Sequence, residues 1–478
     1  MSSLETAFAA YSPRLNPRPV PLVARLISAS VALFLILLFA QAFIRQGIGA
    51  WATGVVYILY DTALLAFTFW QVRILARPLP PVPAGAARPS LGVIVAAHNE
   101  AGVLAVTIDT LLASDDPPDA ILLADDGSTD ESRRVMLHRY GLLPPEAGFV
   151  SPPSAVAPML RWLRLPHGGK ARALNAALPL MDTEIVLTVD ADTLLDPKAV
   201  GAMRRAFAAE PALVAATGVL DPVCDRSPSG RFFQWFQRYE YVRNFLSRFA
   251  WERLNGLLLI SGACAAFRRQ AVIDVGGFDP ECLVEDYELI HRLHRHSADR
   301  GLGWRVRVIG EARATTDAPG TLGAFLRQRR RWFGGFLQTQ HWNRDMVGNR
   351  RFGLLGTAML PVKALDTLQP IYGLAAFALL VIFLATGRTQ IVGPVLLLIL
   401  VKILIDLSFH LWSLRIYRRW TGAPEASTPL AILASLLEPF SFQLIRHGAA
   451  AWGWWTFLTG RSNWGIQTRG GIHARQTA

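Results

Sequence analysis

The chain has 478 residues, 52% of them hydrophobic and only 18% charged, with 48 lysines and arginines against 36 aspartates and glutamates. It is too long for one ordinary domain and too apolar for a purely soluble protein, so a membrane protein with a soluble part is expected. The net charge of +12 suits a surface pressed against an anionic leaflet and gives no reason to expect a nucleic-acid partner, because many of the basic residues sit beside apolar stretches.

In chain order, Leu26–Ile44 carries no charge and can cross a hydrocarbon core about 30 Å thick as a helix. Gln46–Val72 does the same with only Asp61 inside. A second apolar stretch follows at once and no small-residue cleavage site separates the two, which predicts an anchor rather than a removed signal peptide. Arg14, Arg18 and Arg25 precede the first stretch, Arg73, Arg77 and Arg88 follow the second, and the loop between them holds only Arg45. The positive-inside rule therefore puts the N-terminus and the following insert in the cytoplasm of a bacterial-type inner membrane. The expected organisation is a segment 1–85 with two spans, a soluble domain 86–348 and a membrane region 349–478.

Within the insert, "LGVIVAA" (91–97) and "AILLA" (120–124) are short buried runs separated by a helical pattern over Val103–Leu112. Met159–Leu165 and Glu184–Val189 read as two further strands, and Gly141–Pro158 reads as a loop. Such alternation indicates a parallel sheet covered on both faces, which collects ligands at the carboxyl ends of its strands. The polar clusters fall at those ends. His98-Asn99-Glu100 follows the first run, Asp125-Asp126-Gly127-Ser128-Thr129-Asp130 the second, Gly168-Gly169-Lys170 the third and Asp190-Ala191-Asp192 the fourth.

Two carboxylates at i and i+2 on a strand end can share a hard divalent cation that also grips a diphosphate. Asp126 is suited to a base N–H or ribose hydroxyls, and Ser128 or Thr129 to capping the next helix. Lys170, beside two bare glycines, can meet phosphate oxygens. Glu285-Asp286 opens the helical "YELIHRLHR", where the dipole favours ionised carboxylates. Cys224, Cys264 and Cys282 form neither a metal motif nor an even disulfide set.

In "FLRQRRRWFGG", helical spacing puts Gln328, Arg331 and Trp332 on one face, an amide, a guanidinium and an indole suited to a sugar ring. Arg329 and Arg330 point elsewhere and offer charge to lipid phosphates. Three apolar stretches follow, Phe352–Gly387, Thr389–Leu414 and Thr428–Gly460. Pro439 marks a break in the last, which leaves open the number of spans and the side on which Arg461, Arg469 and Arg475 lie. Lys402 and Asp406, one helical turn apart, can neutralise each other, and Trp452, Trp454 and Trp455 read as an interfacial belt.

Taken in order, His98-Asn99-Glu100, Asp125-Asp126-Gly127, Gly169-Lys170 with Asn175, Asp190-Ala191-Asp192, Glu285-Asp286 and Gln328-Arg329-Arg330-Arg331-Trp332 resemble the family 2 membrane glycosyltransferases, especially the processive synthases of cellulose, hyaluronan, chitin oligosaccharides and poly-N-acetylglucosamine. The resemblance covers roughly Leu91–Gly335. It implies an α/β GT-A domain with a Rossmann-like mixed sheet that takes a UDP-sugar with Mg²⁺ or Mn²⁺. By motif, Glu100, Asp125 and Asp126 would contact the nucleoside, Lys170 the diphosphate, Asp190 the donor, and Asp192 with Asp190 the metal. Asp286, with Glu285 beside it, would be the catalytic base, and Gln328, Arg331 and Trp332 would hold the acceptor, a growing glycan or a lipid. Ala96 stands where such enzymes often have proline, and Val284 where threonine is usual. The expected reaction is inverting, processive synthesis of a β-linked polysaccharide with translocation across the membrane, among membrane lipids and with export or regulatory subunits undefined. The alternative is single transfer to a lipid.

Overall fold

The computed structural model describes residues 3–76, 88–424, 427–460 and 472. Arg77, the boundary at 85, Arg461, Arg469 and Arg475 lie outside the described residues.

The insert is built on eight strands: β1 (Leu91–Ala97), β2 (Ala120–Asp126), β3 (Leu160–Leu165), β4 (Ile185–Asp190), β5 (Thr193–Leu195), β6 (Leu213–Val223), β7 (Cys264–Arg268) and β8 (Arg305–Asp317). They form one sheet in the order β3-β2-β1-β4-β7-β6-β8-β5. The half that comes first in sequence is parallel, as the unbroken apolar runs of β1, β2 and β4 require of strands buried on both faces. The other half makes the sheet mixed, as the family resemblance implied. β7 runs antiparallel to β4 and β6, and β5 antiparallel to β8. In a mixed sheet one set of strand ends still gathers the carboxyl termini of β1, β2, β3 and β4, and the loop entering β7 arrives at that same end.

Two long helices close this end. Pro228–Glu252 starts with Ser227 Oγ accepting from Gly230 N–H at 2.9 Å and a proline in its first turn. Leu322–Trp342 starts with the Thr321 hydroxyl accepting from Ala324 N–H. The second carries the arginine-tryptophan motif and packs on the apolar helix Phe442–Leu458. The contact is close because Gly453 has no side chain: a Cβ there would stand 2.6 Å from Phe333 Cβ and 3.0 Å from Arg330 O.

Among the described residues, four helical segments are long and apolar enough to cross a membrane: Leu22–Ile44, Gly47–Ala76, Leu355–Ala385 and Val392–Thr421. Thr428–Phe440 and Phe442–Leu458 form a further pair bent by 47°, and the bend follows Pro439. Lys402 pairs with Asp406, and its Nζ also lies 2.6 Å from Asp61 Oδ2. The intrahelical pair is thus a triad tying the two apolar blocks together. The N-terminal arginines grip the insert. Arg14 makes two 3.0 Å bonds to Asp279, and Arg18 pairs with Asp299. The N-terminal segment and the insert therefore lie on one side of any membrane the spans cross.

Candidate active site

The loop before β7, Ser261-Gly262, turns beneath the start of the helix Glu285–Arg300. Gly262 N–H donates to Asp286 Oδ2 at 2.8 Å, and Tyr287 N–H donates to Oδ1 at 2.8 Å. The carboxylate is thereby fixed at the helix start, where the dipole supports negative charge. Lys170, opening the helix Lys170–Ala177, reaches across to Asp190 Oδ1 at 2.5 Å and to Glu285 Oε1 at 3.7 Å. Burial works against the Lys170 ammonium, but Asp190 and Glu285 outweigh it and raise its pKa above the ordinary lysine value. Burial raises the Glu285 carboxyl above the usual range, with Lys170 opposing.

One cavity of about 420 Å³ gathers Lys170, Asp190, Asp192, Glu285, Asp286, Gln328, Arg331 and Trp332. These are eight of the residues singled out from the sequence, drawn from four separate stretches of chain. Arg331 Nη1 donates to the Leu283 carbonyl at 2.9 Å, while the buried Gln328 Oε1 has no partner among the described residues. An orphaned amide oxygen facing a cavity is a ready acceptor for a ligand hydroxyl. The cavity continues past Trp332 to Leu64, Thr68 and Gln369 on the apolar helices.

Glu100, Asp125 and Asp126 do not line this cavity. The buried Asp126 carboxylate accepts from Gly168 N–H at 2.7 Å and Gly169 N–H at 2.9 Å, and His167 stands 2.9 Å from Oδ2. Asp125 accepts from Ser128 N–H at 2.9 Å and Trp162 Nε1–H at 3.2 Å. In this arrangement both carboxylates shape the loop. Glu100 precedes the helix Ala101–Leu112 without capping it through its side chain. Neither Ser128 nor Thr129 caps the helix Ser132–Tyr140. Ser128 Oγ accepts from Asn99 N–H, and Asp130 accepts from Ser132 N–H instead.

The lipid-facing role expected of Arg329 and Arg330 is also corrected. Arg329 is buried, bonds Glu240 at 2.6 Å and lies over the Trp332 ring at 4.3 Å. Arg330 lies over Trp452 at 4.8 Å. Trp454 donates to the Thr367 carbonyl at 2.8 Å, so of the three tryptophans only Trp455 is left largely exposed and unoccupied by a described polar or cationic partner.

Asp190 and Asp192 present hard oxygen donors on one cavity wall, a set that fits a divalent cation. A second group, His98, Asp126 and His167, has ligand atoms within 4.8 Å of one another and could hold a metal ion. Its rings are stacked at 4.2 Å with both Nδ1 atoms directed at the Asp126 carbonyl.

Sequence reasoning passed over the helix Pro228–Glu252. Tyr241, Asn244, Phe245, Arg248 and Trp251 line the cavity from it at a helical spacing that was visible in the sequence. Nothing in one sequence marks Gly262 as the support of Asp286.

The profile "Glycosyl transferase family 2" matches residues 92–276, and "Glycosyl transferase family group 2" matches residues 185–399. An N-acetylglucosaminyltransferase of Mesorhizobium japonicum is 28% identical over 298 residues, 57% of this chain and 62% of that protein. A poly-beta-1,6-N-acetyl-D-glucosamine synthase of Staphylococcus aureus is 27% identical over 244 residues, 51% of this chain and 53% of that protein. The chain thus spans about half to three-fifths of the length of these curated relatives. The mannosyltransferase PcManGT of Pyrobaculum calidifontis, solved with GDP-Man and Mn²⁺, superposes with a TM-score of 0.51 at 21% identity, over 82% of this chain and 99% of that one, which bears out the GT-A fold. Profiles running from β1 into the apolar helices, on a fold of this kind, place the chain in the family 2 glycosyltransferases.

Proposed function

We propose that the protein is an inverting glycosyltransferase that builds a β-linked polysaccharide from a UDP-sugar on the cytoplasmic side and passes it into the membrane. The observation that carries this reading is the single cavity running from Lys170, Asp190 and Asp286 past Trp332 to residues of the spanning helices. A glycan leaving the reaction centre along it would enter the bilayer without crossing bulk water. The relatives named N-acetylglucosaminyltransferase and poly-beta-1,6-N-acetyl-D-glucosamine synthase make UDP-N-acetylglucosamine the first donor to test.

In this reading Asp286, held by Gly262 and Tyr287, takes the proton from the acceptor hydroxyl. The freed oxygen attacks the anomeric carbon from the face opposite the diphosphate, and the configuration inverts. Lys170 stabilises the departing diphosphate as Asp190 yields it. A Mg²⁺ or Mn²⁺ ion held by Asp190 and Asp192 would neutralise diphosphate charge when bound. Glu285 keeps Lys170 in place, and Gln328, Arg331 and Trp332 orient the acceptor sugar. Glu100, Asp125 and Asp126 shape the nucleoside side of the site.

The test is to incubate purified protein in lipid nanodiscs with UDP-N-acetylglucosamine and Mg²⁺ or Mn²⁺ and to size the product. Long chains appearing while most acceptor is still unused support processive polymerisation. Products carrying one added sugar on lipid contradict it.

A further inference from the structure

Three helices converge on one turn that lies outside the cavity. The turn, Val275–Asp279, follows the short helix Arg269–Asp274 and leads to the helix Glu285–Arg300, whose first turn carries Asp286. It contains two glycines in the left-handed region, Gly276 at φ +90° and Gly277 at φ +75°. A Cβ on Gly276 would stand 2.2 Å from Phe8 N and 2.3 Å from Phe8 Cα, and one on Gly277 would stand 2.3 Å from Asn175 Oδ1 and 3.0 Å from Leu4 Cδ2. The bare backbone therefore lets two neighbours close in, the N-terminal helix Ser3–Tyr11 and the helix Lys170–Ala177. The third neighbour is the helix of Asp286 itself. Its buried Arg292 pairs with Glu288 at 2.6 Å and donates at 2.6 Å to the Val275 and Gly277 carbonyls.

Each neighbour grips the turn with directional contacts. Asn175 donates from Nδ2 to the Phe278 carbonyl and accepts on Oδ1 from Phe278 N–H, both at 2.7 Å, so the helix that opens with Lys170 is pinned to the turn through one residue's backbone. The Phe8 ring lies 5.0 Å from the Arg292 guanidinium. Arg14 makes its two 3.0 Å bonds to the fully buried Asp279, and its guanidinium lies 5.9 Å from the ring of Trp342, the last residue of the arginine-tryptophan helix. A bidentate pair on a carboxylate fixes direction as well as distance. Farther along, Arg300 donates to the Tyr11 hydroxyl at 2.8 Å, which ties the N-terminal helix to the far end of the Asp286 helix. Phe8, Arg14 and Asn175 do not line the cavity, so any effect they have on the reaction passes through the residues that do.

We propose that the N-terminal helix is a positioning element of the active site: Arg14 and Phe8 from that helix and its extension, together with Asn175, clamp the turn Val275–Asp279 and so set Asp286 against Lys170. The proposal rests on the reading of Asp286 as the base and adds to it what aligns that base. Lys170 opens one clamped helix and Asp286 the other, so the turn is the joint between the group that meets the diphosphate and the group that takes the proton. The clamp leads straight into the first apolar helix at Leu22, which couples the placement of that span to the alignment of the site.

The test measures UDP release by the full chain in lipid nanodiscs with UDP-N-acetylglucosamine and Mg²⁺, with rates expressed per mole of protein that binds UDP so that an unfolded fraction does not enter. R14Q is expected to lower kcat about tenfold or more while the KM for the donor stays within about twofold. R14K, which keeps the charge and loses the fork, should fall between R14Q and the wild type. N175A should lower kcat in the same way, and R14Q/N175A should lose less than the product of the two single losses, because both residues act through one turn. F8A keeps the Arg14–Asp279 pair and should also lower kcat at unchanged donor KM, which carries the test should R14Q not fold. A role in stability alone would lower the melting temperature of R14Q and leave its kcat intact, and that result overturns the proposal. So does a rise in donor KM as large as the fall in kcat, or single losses that multiply independently in the double variant. Wild-type turnover by D286N refutes the reading of the base itself, whereas an inactive D286N beside fully active R14Q, F8A and N175A refutes the clamp alone.

Discussion

Replacing Gly262 by alanine tests how the base is held. A Cβ at this position would sit 3.0 Å from Asp286 Oδ2, 3.5 Å from Asp286 Cβ and 3.2 Å from Lys170 Nζ. The lysine can swing away, but Asp286 is fixed at a helix start by Tyr287 N–H, so the carboxylate must yield by a few tenths of an ångström. That movement loosens the 2.8 Å bond from Gly262 N–H, a charge-assisted interaction worth roughly 1.5–3 kcal/mol. If the whole of that loss is felt in the transition state, kcat falls by about 10- to 150-fold, in keeping with the penalty for misplacing a reacting group. Steady-state UDP release by the nanodisc-embedded variant is the assay, with a thermal melt as control for folding. A G262A protein that melts like the wild type and retains full kcat would refute the idea that this loop positions Asp286.

Glu240 neutralises two cations, Arg329 at 2.6 Å and Arg446 at 3.6 Å, and both Glu240 and Arg329 are buried. E240A should therefore destabilise by about 3 kcal/mol or more and lower the melting temperature in detergent, and an unchanged melt would contradict it. Burial pushes the Glu252 carboxyl up to about 8 from an ordinary 4.5. The folded protein then retains a proton that the unfolded chain has lost, so stability is full below about pH 4.5 and declines as pH rises to about 8. E252Q should flatten that decline in melts recorded across this range, and an unaltered slope would count against it. W332A should raise the KM for a glycan acceptor about tenfold, with W332F intermediate, since stacking and not the indole N–H carries the role. Chelation should abolish turnover, and D192N should raise the Mn²⁺ concentration needed to restore it, which a metal titration reads directly.

The strand ends were legible because β1, β2 and β4 are short apolar runs that stop at polar clusters, and sheet topology brings such ends together whatever lies between them. Helical spacing alone put Gln328, Arg331 and Trp332 on one face, and all three line the cavity. The lipid-facing reading of Arg329 failed for a tertiary reason. Arg329 looks like an outward charge in sequence, yet it is committed to Glu240, and Asp126 likewise takes amides supplied from elsewhere, those of Gly168 and Gly169. Partnering is a tertiary fact, and for the same reason the grip of Arg14 on Asp279 could not be read from the charge it adds before the first apolar stretch. The antiparallel entry of β7 was hidden as well, because a buried strand's pattern does not carry its direction. Pro439 did foretell the break in the last apolar stretch, since its ring cannot continue a straight helix.

The most direct measurement is UDP release from UDP-N-acetylglucosamine by the purified wild type beside D286N, a substitution that keeps the shape of the side chain and removes its ability to accept a proton. The account predicts a fall in kcat of about 100-fold or more in D286N with an unchanged melting temperature. A D286N protein that turns over at the wild-type rate would show that the cavity's carboxylate is not the base and that the reaction is carried elsewhere.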